Sequence, residues 1–419
     1  MSGTFWRLWT AAGLSSLADG VLKVALPLVA VGYTRSPALI AGLAFAFTLP
    51  WLLFALPAGA LVDRLDRRRA MLGANVVRGG LLAAVTLMTA FGAGSIWALY
   101  VVAAATGTAE TIYDTAAQSI VPQVVGRAEL ARANGRVFAA EQTANEFAGP
   151  PLAGVLAAAG AVAAFITPVA LWAVAVAALL LVRGTYRVPR ERRTTLRSDI
   201  AEGLHFLARH KVLRTFSVMV GTFNFATGAV FAVLVLHAVG PDSAMGLSEP
   251  AFGLLMATIA AGGLAGSLLA ERVERLLGRV RALWVSWLAG GLPVGALAVT
   301  TDPYAVGVAF FAGGAGILVS NVVMVSLRQR LTPDRLLGRL NSSHRLVAWG
   351  TKSLGALAGG AIAQAFGLPV VFAVMAVPAF AVVLGLFVVT EPALAAAERE
   401  PGCRGLESET AAPREPGRG

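Results

Sequence analysis

An all-α integral membrane protein of twelve transmembrane helices, arranged as two six-helix bundles, is the fold class this sequence predicts, and three observations predict it. The first is composition: 57% of the 419 residues are apolar and 46 are Gly, while only 14% are charged. A soluble domain runs at roughly 45–50% apolar and about 25% charged. The second is rhythm, because the apolar residues fall into runs of the ~20 residues that a helix needs to cross a bilayer. The third is that the basic residues gather in alternate links. This composition excludes a water-soluble enzyme, and outside the C-terminal tail it excludes disorder. Cys403 is the only cysteine and the four histidines are not at ligand spacing, so no disulfide, metal site or cofactor is expected.

The first span covers residues 5–31. It begins so close to Met1, with no small-residue cleavage site, that it reads as a retained helix and not a removed signal peptide. Asp19 lies mid-span with Lys23 one turn on, placed to pair with it. The second span, 38–62, runs into the link Gly59-Ala-Leu-Val-Asp63-Arg64-Leu-Asp66-Arg67-Arg68-Arg69. The third is 71–91. The fourth, 95–117, carries Glu110 and Asp114 on one face at i, i+4. The fifth, 137–160, carries Glu141, Asn145 and Glu146, then Gly149-Pro150-Pro151-Leu-Ala-Gly154, where proline removes a backbone hydrogen bond and predicts a bend. The sixth, 162–183, holds Trp172.

The polar stretch 184–211 contains Arg187, Arg190, Arg192, Arg193 and Arg197. Its Ile200, Leu204 and Phe206-Leu207 recur at helical spacing, as in a helix lying on the inner membrane surface; a solvated connector is the alternative. The second half repeats six spans: 212–238 with Phe223-Asn224-Phe225, 251–270, 281–300, 303–326 with Asn321, 344–366 with Lys352, and 369–390. Residues 1–183 and 212–390 thus form the two predicted bundles, 184–211 the basic linker, and 391–419 a disordered tail.

Of the 34 Lys and Arg, all but Lys23, Arg35, Arg78 and Lys352 lie at the N-terminus, in the tail, or in links that follow even-numbered spans. That asymmetry places both termini in the cytoplasm and the chain in the cell membrane. It also accounts for the net charge of +11 without nucleic acid, which would need a basic polar domain with aromatic platforms. The halves carry a weak internal repeat. Gln118-Ser-Ile-Val-Pro122 before Asn134-Gly135-Arg136 is matched by Gln329-Arg-Leu-Thr-Pro333 before Asn341-Ser-Ser-His-Arg345. Such repeats in membrane proteins belong to two bundles that rock about a central cavity, and they point to transport.

The link Gly59-x-x-x-Asp63-Arg64-x-Asp66-Arg67-Arg68 resembles the helix 2–3 signature of the major facilitator superfamily, and the likeness extends over residues 1–390. The resemblance implies that Gly59, Asp63, Arg64, Arg67 and Arg68 latch the cytoplasmic side against helix 11 in the outward-facing state. Asp66 departs from the family's usual Gly. Gly149, Pro150 and Gly154 resemble the antiporter motif Gly-Pro-x-x-Gly-Gly, although Val155 replaces its last Gly and Asn145 an upstream one. The basic residue that the family's drug–proton antiporters carry in helix 4 is absent, with Thr106-Gly107-Thr108-Ala109-Glu110 in that region. Leu14-Ser-Ser-Leu-Ala-Asp19-Gly20 and Leu130-Ala-Arg-Ala-Asn134-Gly135 are similar to the branch that contains macrolide efflux proteins and the enterobactin exporter.

Ionisable residues within spans cost ~2.5–3.5 kcal/mol on insertion scales and mark candidate sites. Glu110 and Glu146 fall at similar depth and are the first candidates to carry protons, ahead of Asp19, Asp114 and Glu141. Asp114 and Glu141 are equally open to salt bridges with Arg136 or Arg78. Asn145, Trp172, Phe223, Asn224, Phe225 and Asn321 are the candidates to line a substrate cavity, packing being the alternative for the aromatics. The expected function is secondary active transport: proton-coupled export of a bulky amphipathic small molecule, of antibiotic or siderophore type, by a monomer in the lipid bilayer. An uptake symporter is the rival. A membrane prenyltransferase, suggested by Asp63-x-x-Asp66, lacks the second acidic cluster that Mg²⁺ and diphosphate need.

Overall fold

The computed structural model describes residues 2–62, 65–126, 129–184, 186 and 196–398. These residues form helices joined by short turns, with one isolated bridge between Val239 and Leu247. The first half contains α1 (Gly3–Val31), α2 (Pro37–Val62), α3 (Arg67–Ala90), α4 (Ile96–Val124), α5 (Leu130–Gln142), α6 (Gly149–Ala158) and α7 (Ala161–Leu180). After α8 (Leu196–Arg209), the second half contains α9 (Lys211–Ala238), α10 (Glu249–Leu277), α11 (Arg279–Val299), α12 (Pro303–Arg330), α13 (Asp334–Phe366) and α14 (Leu368–Ala381), with α15 (Glu391–Glu398) at its end. Polar caps set the starts. Ser2, Ser95 and Ser248 accept from backbone N–H groups in the first turns of α1, α4 and α10. Asp302 does the same for α12, with Pro303 at the first helical position, where its missing N–H costs nothing.

Nine of the described helices are long and apolar enough to cross a membrane, which makes this a multi-pass membrane protein. The three further segments that read as spans in the sequence lie in α4, in the composite helix 130–158 and in α13. They hold the acids and most of the polar groups that dilute apolar character: Glu110 and Asp114, Glu141 and Glu146, and His344 and Lys352. Several helices also outrun the apolar stretch by a turn or more. α12 continues to Arg330 and α13 begins at Asp334, because backbone hydrogen bonding persists past the hydrocarbon where long basic side chains reach water.

Packing repeats between the halves. α2 and α3 pack on α4 as α10 and α11 pack on α12; α3 meets α7 as α11 meets α14; α9 packs on α13 as α1 packs on α5 and α6. The halves join through α2 with α13 and α6 with α10. The face holding the start of α1, the α2–α3 turn and the end of α7 is termed the basic face. There Arg7 and Arg68 donate to the carbonyls of Leu181, Leu179 and Leu180.

Two expectations need correction. Where the sequence predicts a proline bend, both prolines fall in the first turn of α6, where proline is tolerated, and the irregular element is the π-helical turn Thr143–Ala148 just before them. The tail is not wholly irregular, since Glu391–Glu398 is helical with Leu394 and Ala397 buried. Glu391 accepts from the Val280 backbone N–H at 3.3 Å and pairs with Arg279, so it caps α11. Asp66, where the family's signature carries Gly, is held at both oxygens. One oxygen accepts from Arg69 N at 3.0 Å, and the other accepts from Tyr186 N at 2.7 Å. The carboxylate therefore caps α3 and staples it to the chain after α7. Asp66→Ala is expected to lower stability by about 1–2 kcal/mol, the range for a lost N-cap, read as a fall in Tm of the purified protein, whereas Asp66→Asn should recover part of it.

The segment with Ile200, Leu204 and Phe206-Leu207 forms the helix α8. Leu207 is buried, and Arg339 of α13 holds Glu202 of α8. Asp63 and Arg64 lie outside the described residues.

Candidate functional site

The first half buries a charged network around α1. Arg78 of α3 is fully buried. Its Nη1 donates to Asp19 Oδ1 at 2.7 Å, its Nη2 to Ser15 Oγ at 2.7 Å, and Asn75 Oδ1 accepts from Nε and Nη2. The guanidinium also lies over the rings of Tyr113 and Trp172, 4.8 and 5.0 Å from their centroids. Asp19 therefore pairs with Arg78, correcting the expected Asp19–Lys23 pair. Trp172 has no exposed surface, so it roofs this ion pair and does not line a substrate cavity. An Arg in apolar surroundings needs several acceptors, and α1 and α3 supply them.

One turn further along α1, Lys23 Nζ stands 3.1 Å from Glu110 Oε1 and donates to Asn145 Oδ1 at 3.4 Å. Asn145 and Glu146 sit in the π-helical turn, an element rare in proteins and frequent at functional sites. Gly20 and Gly149 make this possible: a Cβ on Gly149 would stand 2.7 Å from the Gly20 Cα, so only glycine lets α1 lie against this turn. Glu110 is buried, and its Oε2 has no hydrogen-bond partner. Glu146 is exposed beside the network and acts electrostatically on Lys23 and on Lys352 of α13. The structure thus brings Glu110, Glu146, Lys23 and Lys352 together. Asp114 and Glu141 form no ion pair among the described residues. They lie around the same centre, within electrostatic reach of Asp19.

The second half contains a cavity of about 160 Å³ among α9, α11, α12 and α13. Phe223, Asn224 and Asn321 line it. Phe225 does not; it packs against the hydrophobic core. Other lining residues were not anticipated, among them Ser217, Trp287, Ser320, Arg328 and His344. Arg328 lies two residues past the predicted span 303–326 and is brought inside by the continuation of α12 to Arg330, while His344 is the first residue of the predicted span 344–366 and lies well within α13. Phe223 and Trp287 meet edge to face at 5.3 Å, and Ser217 Oγ lies 3.4 Å from His344 Nδ1.

Contacts between the halves seal the face opposite the basic one. Ser36 Oγ donates to Gln364 at 2.9 Å. The first turn of α10 lies so close to α6 that a Cβ on Gly154 would stand 2.9 Å from the Pro250 Cα, and one on Gly253 would stand 3.1 Å from the Pro151 Cα. Nearer mid-helix, Ser353 Oγ donates to Thr48 Oγ1 at 2.9 Å, and Trp51 stacks on Trp349 at 5.1 Å with Arg345 over it. Among the described residues, the side-chain hydrogen bonds and ring contacts joining the halves stop there, short of the basic face. The Arg67 backbone N–H donates to Tyr186 O, and Arg68 binds the end of α7.

The family model described as transmembrane secretion effector matches residues 1–419. The chain is 30% identical over 410 residues to the multidrug efflux pump Tap of Mycobacterium tuberculosis, covering 93% of this chain and 92% of Tap. Its fold is similar to two solved structures, at identities that bear on fold alone. One is the nucleoside transporter NupG, with TM-score 0.73, 12% identity and coverage of 92% of this chain and 98% of the other. The second is a bacterial homologue of the iron transporter ferroportin in an inward-facing state, with TM-score 0.73, 16% identity and coverage of 92% and 99%.

Proposed function

We propose that this chain, which belongs to the transmembrane secretion effector family of the major facilitator superfamily, is a proton-coupled exporter of bulky amphipathic small molecules, working as a monomer in the cell membrane. The observation that carries the reading is the one-sided seal between two internally repeated halves. By the charge asymmetry of the links the basic face is cytoplasmic, so among the described residues the side-chain contacts between the halves lie toward the outside and stop short of the cytoplasm. That is the loading state of an exporter. The similarity to Tap favours export over uptake. Nothing in the arrangement calls for enzymatic chemistry.

Glu110 is the proton carrier in this reading. Its Oε1 is held by Lys23 and its buried Oε2 is unpaired, a costly arrangement that a proton on Oε2 relieves. Protonation removes the charge that holds Lys23. Lys23, which already donates to Asn145, is then free to turn from Glu110 toward Glu146 in the π-helical turn, on the side of Lys352 across the interface. Changes at the acid therefore reach the helix that forms the seal. Asp19 stays ionised as the partner of Arg78 and serves the structure. The second half binds substrate through the cavity at Phe223, Asn224 and Asn321. Gly59, Asp63 and Arg64 latch the basic face in the alternate state, with Arg67 and Arg68 anchoring the turn that carries them.

The test is efflux from cells lacking their own major pumps, preloaded with a panel of macrolides, dyes and siderophores. Export of at least one compound is expected to stop with a protonophore. In Glu110→Gln, the protonophore-sensitive component should fall about fivefold or more, the size of an ordinary coupling free energy. Accumulation of the panel inside cells would favour uptake, and export indifferent to protonophore would remove the proton.

A further inference from the structure

We infer that the cavity inside the second half is a subsite for an aryl anion: a flat apolar ring bearing a carboxylate or an equivalent oxyanion. Size comes first. At about 160 Å³ it matches a cavity that holds benzene, roughly 150 Å³, and it is too small for a whole bulky substrate. Its walls suit a ring, with Phe223 and Trp287 set edge to face and Ile317 and Met324 completing an apolar surface.

The polar groups then fix the charge. Trp287 is 5% exposed, and its Nε1 is buried with no hydrogen-bond partner; the Nε of Arg328, also lining the cavity, is in the same position. Both orphans are donors, so the group that completes them is an acceptor. Leaving such donors buried and unpaired is expensive. Arg328 also makes no ion pair among the described residues, and no Asp or Glu lines the cavity. Guanidinium presents a planar fork that fits carboxylate and phosphate oxygens. His344, held by Ser217, lies near enough to feel the charge of Arg328 and adds a second polar group at that end. Asn224 is partly committed, since its Nδ2 donates to Ala348 O at 3.2 Å.

The two halves consequently divide their labour by charge. The network acids Glu110 and Glu146 are in the first half, and Arg328, which among the described residues is the guanidinium lining this cavity, is in the second. The inference rests on the transport reading for its use, but its test is a binding measurement that needs no gradient.

The probe is 2-naphthoate, titrated by calorimetry into the full-length protein in nanodiscs of zwitterionic lipid, with 2-naphthamide as the neutral counterpart and inorganic phosphate as competitor. Naphthoate should bind at least about tenfold more tightly than the amide, the scale of a hydrogen bond to a charged group. Arg328→Gln should erase that preference. Trp287→Phe, which keeps the ring and removes the orphan N–H, should weaken naphthoate about threefold or more and leave the amide unchanged, and it covers the case in which the Arg328 variant fails to fold. Equal binding of acid and amide by the wild type, or a preference that survives in folded Arg328→Gln, overturns the inference. Phosphate displacing naphthoate at equal concentration overturns it too, because the site would then read the anion without the ring. Loss of naphthoate binding with drug export intact removes only the subsite; naphthoate binding in a protein that exports nothing removes only the export reading.

Discussion

Arg78→Met is expected to destabilise the protein by about 3–5 kcal/mol, the cost of breaking a buried ion pair by removing one partner. The reason lies in what stays behind. Asp19 is almost fully buried on α1 and takes its short 2.7 Å hydrogen bond from Arg78; without it an ionised carboxylate remains among α1, α3 and α4. Ser15 and Asn75 lose the guanidinium and keep only the 3.2 Å bond that Ser15 Oγ donates to Asn75 Oδ1, and Tyr113 and Trp172 lose the cation between their rings. Asp19→Asn alone should cost less, since an amide can still accept from the guanidinium while leaving its charge uncompensated. Asp19→Leu combined with Arg78→Met should recover most of the loss, because replacing a buried pair by apolar groups of similar volume is often near neutral. Thermal unfolding of the four proteins in one detergent measures this. Equal losses in the single and double variants would mean that the pair contributes no coupling, and the structural role assigned to Asp19 would go with it.

The same residues show what the sequence could and could not disclose. The all-helical membrane fold was legible because lipid imposes one demand, a run of apolar residues long enough to span, and this chain meets it repeatedly. The acids of the first half were legible as candidates because each is costly in a span. Their partners were not. Lys23 is one turn from Asp19 and sequence proximity favours that pair, yet a side chain on another helix, Arg78, claims the carboxylate, and Lys23 turns to Glu110. Pairing across helices depends on rotation about each helix axis, which apolar periodicity fixes poorly in helices that are apolar on most sides. Trp172 was misplaced for the same reason. The π-helical turn at Thr143–Ala148 left no compositional mark, and the prolines beside it drew the bend to themselves. Arg328 escaped notice because a boundary error of a few residues moves a side chain from a solvated link into a cavity, and His344, at the first position of its predicted span, gave no sign of the direction it faces.

Gly154→Val tests the seal between the halves, and its effect should be the most visible in transport. A Cβ at this position meets the backbone of Glu249 and Pro250 at the start of α10, with the Pro250 Cα 2.9 Å away. Backbone cannot rotate aside as a side chain would, so α6 and α10 must separate. Overpacking of this kind costs typically ~1–3 kcal/mol, and only the state in which these helices touch incurs it. About 1.4 kcal/mol shifts a population ratio tenfold, so the variant should spend most of its time open on the face opposite the basic one. Export should fall at least tenfold while the protein still folds. A direct reporter is available in Ser353, fully buried against Thr48 between α13 and α2. In a Cys403→Ser background, Ser353→Cys should react slowly with an impermeant maleimide applied from that face, and about tenfold faster or more once Gly154→Val is added, if the population shift is of this size. Gly73→Val is the control, because nothing lies within 4 Å of a Cβ there; it should alter neither labelling nor export. Unchanged labelling in Gly154→Val, together with full export, would show that α6 and α10 need not touch during the cycle, and the one-sided seal would lose its place in the mechanism.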